Sequence, residues 1–243
     1  MRNVNNNSKQ QVSHALGLSI IVPIFNEIEV VSELVSNLQS LNAEQIILVD
    51  GGSTDGTCEW LMENCKSEDS LLIQSKSGRA LQMNAGAALA SQEMLLFVHA
   101  DTRLPAEAKT EICRVDGARI HWGRFDVCFD SNSTAMRVIS GFMNWRSRLS
   151  RVATGDQGIY MHRSLFDGVD GFDQIDLMED VAMTKKLRRI LWPHCSNMCV
   201  TTSARRWQKN GVLKTVLQMW LLRLGYFVGT SPSVLAKMYK NIR

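Results

Sequence analysis

Carboxylates recur in this sequence where apolar runs end, and that placement suits metal and phosphate chemistry. Leu95-Leu96-Phe97-Val98 runs straight into His99-Ala100-Asp101. Four consecutive apolar residues closed by a polar turn read as a strand buried on both faces of a parallel sheet. Asp101 then sits at the strand's carboxyl end, where open α/β sheets place their ligands. A carboxylate held there can take a hard divalent cation, and the cation can take phosphate. Taken alone, an Asp that merely ends a surface strand is an equal account. Ile46-Ile47-Leu48-Val49 likewise ends in Asp50, followed by Gly51-Gly52-Ser53-Thr54-Asp55-Gly56-Thr57. Those glycines let the backbone turn tightly, and Ser53, Thr54 and Asp55 are N-cap types for a helix through Trp60 and Leu61. Glu179-Asp180 opens a third candidate segment, a helix through Leu187. A helix dipole favours acids in its first turn, so capping competes with catalysis there.

The elements that must position these residues follow from periodicity. Leu18-Ser19-Ile20-Ile21-Val22-Pro23-Ile24 is the first strand, and Pro23, with no N–H, is expected to end it or lie at an edge. Phe25-Asn26-Glu27 turns, and Ile28, Val31, Leu34, Val35 and Leu38 recur at helical spacing. Leu71-Leu72-Ile73 is a third strand, and the segment from Gly78 to Gly86 begins a small-residue helix suited to close packing on a sheet. Pro105 marks a further helix start. Alternating strand and helix predicts a doubly wound parallel sheet, whose strand ends share one edge. The turns Asn26-Glu27, Asp50-Gly51 and His99-Asp101 therefore meet in one cleft. Beyond it, Gly123 to Phe129 reads as a strand and Met136 to Leu149 as a helix. Gly155 to Met161 reads as a turn feeding a strand, and Gly168 to Asp176 as a loop.

Composition narrows the class. The chain has 243 residues, 45% apolar and 21% charged, enough for one large α/β domain or a domain with a small appendage. A net charge of +3 is too mild to argue for nucleic acid as a partner. No GxxxxGK[ST] or GxGxxG loop is present, so phosphate would be held by metal and side chains. The six cysteines form no CxxC pair, and reduced thiols in a cytoplasmic protein are expected; His194, Cys195 and Cys199 read as a chance cluster. The Asn/Gln/Ser-rich start, residues 1–16, reads as a disordered tail, followed by a catalytic domain over 17–210 and C-terminal amphipathic helices over 211–243. No stretch reaches the ~18–20 apolar residues of a membrane span.

The segments IIVPIFNE, LVDGGSTDGT, GRALQMNAGA, FVHADTRL, GDQGIYMHRSLF, DGFD and MEDVAMTKKLRR follow in that order. Together they resemble a family 2 glycosyltransferase of the GT-A fold. Within that family they are similar to the compact bacterial transferase 2 branch associated with radical-SAM/selenodomain proteins. The resemblance covers nearly the whole chain from Leu18. It implies an α/β fold with a doubly wound, mostly parallel sheet flanked by helices, and a helical C-terminal extension. It also implies inverting transfer of a sugar from a nucleotide diphosphate, with Mg²⁺ or Mn²⁺. Residue by residue, Pro23, Phe25 and Glu27 match the first nucleoside-contacting segment. Asp50 matches the carboxylate that reads the base, suiting an imide N–H such as uracil's. Arg79 and Asn84 match positions over the nucleotide sugar and phosphates. Asp101 matches the metal-binding acid, and Glu179-Asp180 the motif whose Asp is general base. Two positions depart from the pattern. His99 stands where the first acid of an acid-x-acid metal motif is usual, and could bond the donor ribose or assist the metal. Ser203-Ala204-Arg205-Arg206-Trp207 has Ser where the QxxRW box of processive synthases has Gln, which argues against a processive synthase.

Beside the resemblance, Arg205 or Arg206 suits a diphosphate clamp, since guanidinium pairs well with phosphate; solvated surface charge is an equal account of both. Asp156 and Gln157 suit an acceptor pocket, with a plain turn as the competing account; Trp122 and Trp145 could stack on an acceptor, but the core is the expected place for both. From Val212 to Val228 an apolar stretch with Trp220 is interrupted by Lys214 and Arg223. Packing on the catalytic domain or a second subunit is its simpler account. A helix lying on an anionic membrane is the other, and it would make the acceptor lipid-linked and place the protein at the inner face of the membrane. The rival functions are a nucleotidyltransferase and a catalytically silent nucleotide-sugar-binding module.

Overall fold

The computed structural model describes residues 16–114, 120–205, 207 and 211–240. All but the last residue of the expected tail lies outside them, as does Arg206. Strands and helices alternate first: β1 (Leu18–Ile24), α1 (Val31–Ser40), β2 (Gln45–Asp50), α2 (Thr57–Asn64), β3 (Ser70–Gln74), α3 (Arg79–Leu89) and β4 (Met94–Phe97). Then come β5 (Thr102–Arg103), α4 (Ala108–Arg114), β6 (Trp122–Phe129), α5 (Thr134–Ser150), a 3-10 turn (Gly155–Gln157), β7 (Ile159–His162) and α6 (Arg163–Gly168). The chain continues through α7 (Glu179–Ile190), β8 (His194–Thr202), α8 (Val212–Phe227) and α9 (Pro232–Lys240).

The described strands form one sheet in the order β3-β2-β1-β4-β7-β6-β8-β5. β3, β2, β1 and β4 are mutually parallel, as the alternating pattern predicts. β7 then pairs antiparallel to β4, β6 antiparallel to β7, and β8 parallel to β6. The outcome is an α/β fold with a mostly parallel sheet.

Side-chain alternation along each strand feeds two cores. Ile20, Val22, Ile46, Leu48 and Leu96 meet Leu34 and Leu38 of α1 on one face. Ile21, Val49, Leu95 and Phe97 meet Ala80, Met83 and Ala87 of α3 on the other, with Met183 and Leu187 of α7. Both faces being covered explains why these strands read as unbroken apolar runs.

Several expectations need correcting. Pro23 neither ends β1 nor sits at an edge: β1 is central and runs on to Ile24. The backbone of Ile21 faces β4, accepting from the Val98 amide, and Pro23, two residues on, faces the same way. The β4 pairing stops at Ile21 opposite Phe97, so the missing N–H breaks no ladder bond. At Pro105 the chain makes a turn first, its carbonyl accepting from Ala108, where α4 begins. Trp145 is exposed instead of lying in the core, whereas Trp122 is buried. The expected set of reduced thiols fails at one pair, since Cys128 of β6 and Cys199 of β8 are joined by a disulfide. They are 71 residues apart in sequence but on neighbouring strands. His194 is also not idle: its Nδ1 lies 2.7 Å from the Tyr160 hydroxyl.

Close packing of α3 on the sheet depends on Gly86. A Cβ there would lie 2.5 Å from Ile21 Cγ2 and 3.0 Å from Val49 Cγ2. Gly86→Val is expected to lower unfolding stability by about 2 kcal/mol through overpacking, read by urea denaturation. Unchanged stability would show that α3 can move off the sheet at no cost.

Candidate functional site

The first two loops at the carboxyl edge are laced together by hydrogen bonds. Asn26 takes a left-handed φ of 56°, its amide donates to Ser53 Oγ, and its Oδ1 accepts from the Thr54 amide. The Glu27 amide donates to Thr57 Oγ1 and the Ile28 amide to Asp55 Oδ2. Asp50 is fully buried, and its carboxylate accepts from the Gly52 and Ser53 amides at 2.9–3.2 Å. It therefore shapes this loop from beneath. Buried Gln82 of α3 ties the two strand ends by donating to the carbonyls of Ile24 and Val49, 2.8 Å each. Phe25 is left exposed at the rim. Arg205 reaches Glu29 at 3.0 Å, bringing the segment after β8 beside the first loop.

The third loop, after β4, meets the start of α7. Met178 takes a left-handed φ of 71° immediately before the helix. The Asp180 carboxylate accepts from the Gly155 amide at 2.7 Å and the Val181 amide at 2.6 Å. Asp180, Gly155 and His99 line one cavity of about 10 Å³, together with Phe97 and Phe172. That is room for one water. The absence of a side chain at Gly155 leaves space for the His99 ring, which a Cβ would strike. Burial, and then the Arg79 charge, push His99 down to about 3, so its imidazole is neutral.

Glu179 is buried and pairs with Arg79 of α3 at 3.5 Å. Burial and the neighbouring Asp180 raise the Glu179 carboxyl above its ordinary range. Burial works against the Arg79 charge, but Glu179, the phenol of Tyr239 and Asp180 outweigh it, and Arg79 also hydrogen-bonds Tyr239. Tyr239 belongs to α9, so the C-terminal extension reaches the site.

On the far side of Asp180 lies a second charged group. Asp156 bonds the Thr154 hydroxyl. Burial raises its carboxyl, against the Thr154 bond and the charges of Arg223 and Arg146. Gln157 is buried and caps the turn through its Oε1, which accepts from the Thr154 amide at 3.3 Å. Its Nε2 has no partner among the described residues. Arg146 of α5 is likewise short of partners: its Nε and one terminal nitrogen are buried and unpaired among the described residues. Burial, then Arg223, push it down to about 10.

Of the residues expected to act, Asp180, Glu179, Arg79, His99 and Asp156 are brought together, with Gln157 adjacent. Asp50 ends β2 and Asp101 follows the end of β4, strands that β1 separates in the sheet. Asn84 points elsewhere: both ends of its amide hold the backbone of Phe172, at 2.8 and 2.9 Å, which fixes the loop before α7. Glu27 lies in the first loop and Pro23 is buried in β1 just before it, and Arg206 is outside the described residues. Arg146, Arg223 and Tyr239 were missed, since no motif marks them and only the tertiary fold brings them here; Gln82 lies within GRALQMNAGA, but its buried ties to Ile24 and Val49 show only in the fold.

For a divalent cation, the described residues contain no cluster of three or more His, Cys, Asp and Glu ligands. Asp101 is exposed, and its carboxylate is free of hydrogen bonds and ion pairs among the described residues. One hard oxygen does not make a cage. It does fit an ion whose remaining ligands are water and substrate phosphate, the usual habit of Mg²⁺.

Comparison with known proteins places this geometry. The profile described as "Glycosyl transferase family 2" matches residues 19–165. The poly-β-1,6-N-acetyl-D-glucosamine synthase of Staphylococcus epidermidis is 30% identical over 104 residues, 41% of this chain and 25% of that protein. The chain thus matches about a quarter of the length of such curated relatives. Among solved structures, TarS residues 1–349 of S. aureus in complex with UDP gives a TM-score of 0.64 at 17% identity. That match covers 77% of this chain and 60% of the other. The Pyrobaculum calidifontis mannosyltransferase in complex with GDP-Man and Mn²⁺ gives 0.63 at 15% identity, covering 91% and 67%. These structures share the GT-A fold, and with the profile covering more than half of its length the chain belongs to glycosyl transferase family 2.

Proposed function

We propose that this chain transfers a sugar from a nucleotide diphosphate, a UDP-sugar, to an acceptor hydroxyl with inversion, Asp180 acting as general base. The observation that carries the reading is the placement of Asp180 beside His99, two residues from Asp101, at the edge where the loops after β1 and β2 also end. The order of motifs supports membership of the transferase 2 branch.

In this reading the nucleoside lies against Pro23, Phe25 and Glu27, on a loop that Asp50 holds in shape. Asp101 would hold Mg²⁺ or Mn²⁺, which would supply positive charge to the diphosphate. Arg79, kept charged by Glu179, faces the same negative charge. His99 is neutral, so it can share a hydrogen bond with a donor hydroxyl without adding charge. The acceptor oxygen attacks the anomeric carbon as the bond to the diphosphate oxygen breaks. The electron pair leaves with the diphosphate, and the acceptor proton passes to Asp180. The acceptor enters from the side of Asp156, Gln157 and Arg146, and a lipid-linked acceptor fits the helices found there.

Asp180→Asn keeps an oxygen for the Gly155 amide but removes the base. It is expected to cut turnover at least ~100-fold while leaving donor affinity near wild type. UDP release and calorimetric donor titration read the two quantities, and undiminished turnover overturns the assignment. Asp101→Ala is expected to abolish the Mn²⁺-dependent part of donor affinity; affinity that still rises with Mn²⁺ removes Asp101 from the metal.

His99 also generates a pH prediction. Its folded value, about 3, lies below the ordinary value of 6.5, so between them the unfolded chain binds the extra proton. The stability this contributes is present above about 6.5 and is lost as pH falls toward 3. His99→Gln is expected to flatten the stability–pH curve between those limits, read by chemical denaturation at several pH values. An unchanged slope would mean that His99 binds its proton equally well in the folded and the unfolded chain.

A further inference from the structure

The described surface carries an apolar face that no described residue covers. On α5, Val138, Phe142, Trp145 and Leu149 project to solvent at helical spacing, Leu149 being 71% exposed. On α8, Leu213, Leu217, Trp220 and Leu224 do the same, Leu213 being 72% exposed. The inner side of α8 is accounted for separately, because Thr215, Gln218 and Leu222 are buried against the domain. Phe142 stacks on Trp220 with ring centroids 5.9 Å apart, so the two strips are one continuous surface. Patches of this kind on a soluble fold mark an interaction site.

Charge says what covers it. Residues 203–243 hold eight Lys and Arg and no acid. All 24 Asp and Glu lie before residue 203, alongside 19 of the 27 Lys and Arg. On α5 no acid lies between residues 131 and 153 and Arg137 is exposed, while Arg146 and Arg148 turn inward, Arg148 to pair with Asp126. A second copy of the chain docking through the same patch would set one basic surface against another, which is repulsive. An anionic bilayer offers apolar depth and opposite charge together. No helix among the described residues is long and apolar enough to cross a membrane, and α8 has 16 residues, so α8 lies along the surface.

We propose that the outward faces of α5 and α8 together form a membrane-docking surface for anionic lipid bilayers. Trp145 and Trp220 enter the interfacial layer, and the flanking cations meet lipid headgroups. Arg146 lies one turn from Phe142 on α5, so the docked face leads directly to the cations beside Asp156 and Asp180. That link to the acceptor rests on the proposed sugar transfer; the docking itself does not.

The test is flotation of the full chain with vesicles of phosphatidylcholine, with and without phosphatidylglycerol. Wild type is expected to float with the anionic vesicles only, and to be released by high salt. Leu149→Glu/Leu217→Glu, at two highly exposed positions, is expected to weaken that partition ~10-fold or more. Its melting temperature and its vesicle-free UDP release stay at wild-type values. Absence of flotation, or equal flotation with neutral vesicles, overturns the proposal. So does a wild-type dimer in sedimentation that the double variant converts to monomer, since a second copy would then own the face. Loss of UDP release by Asp180→Asn with flotation intact keeps failures of the two proposals distinguishable.

Discussion

The hydrogen bond from the Gly155 amide to the Asp180 carboxylate, 2.7 Å long, joins segments 25 residues apart and organises the site around it. It anchors the first turn of α7 to the turn before β7. Since β7 pairs with β4, the helix start is fixed relative to the end of β4 and hence to His99 and Asp101. The left-handed Met178 turns the chain into that position, and Asn84 secures the loop behind it through Phe172. A carboxylate that accepts two amides is also held in one rotamer. A base aimed at a substrate needs that kind of positioning.

Electrostatics around this anchor come in two halves. On one side Glu179, Arg79 and Tyr239 form a linked set, reaching from α7 through α3 to α9. On the other, Asp156 faces Arg146 and Arg223, reaching α5 and α8. The neutral His99 feels the Arg79 charge and lines a cavity with Asp180, adding no charge of its own. The C-terminal helices therefore contribute charge to the site.

Legibility in the sequence followed burial. β1, β2 and β4 are covered on both faces, so they read as apolar runs, and their polar ends pointed to one sheet edge. Small residues in α3 announced close packing, and Gly86 bears that out. β8 was not legible, because His194–Thr202 mixes polar and apolar residues with no clean alternation. With β8 unseen, the proximity of Cys128 and Cys199 could not be inferred either. Asp50 and Asn84 were recognisable by type and position, but orientation decides what they touch, and in both cases that is backbone. Arg146, Arg223 and Tyr239 stand next to acids only because helices far apart in sequence pack together.

The central claim is that a nucleotide sugar and its cation occupy the edge shared by β1, β2 and β4, opposite Asp180. The most direct measurement is a crystal structure with UDP and Mn²⁺, using anomalous scattering to locate the metal. The expected result is a peak between the Asp101 carboxylate and the diphosphate, with the uracil beside Phe25. A bound nucleotide whose metal lies away from Asp101, or a nucleotide seated outside that edge, would contradict the account.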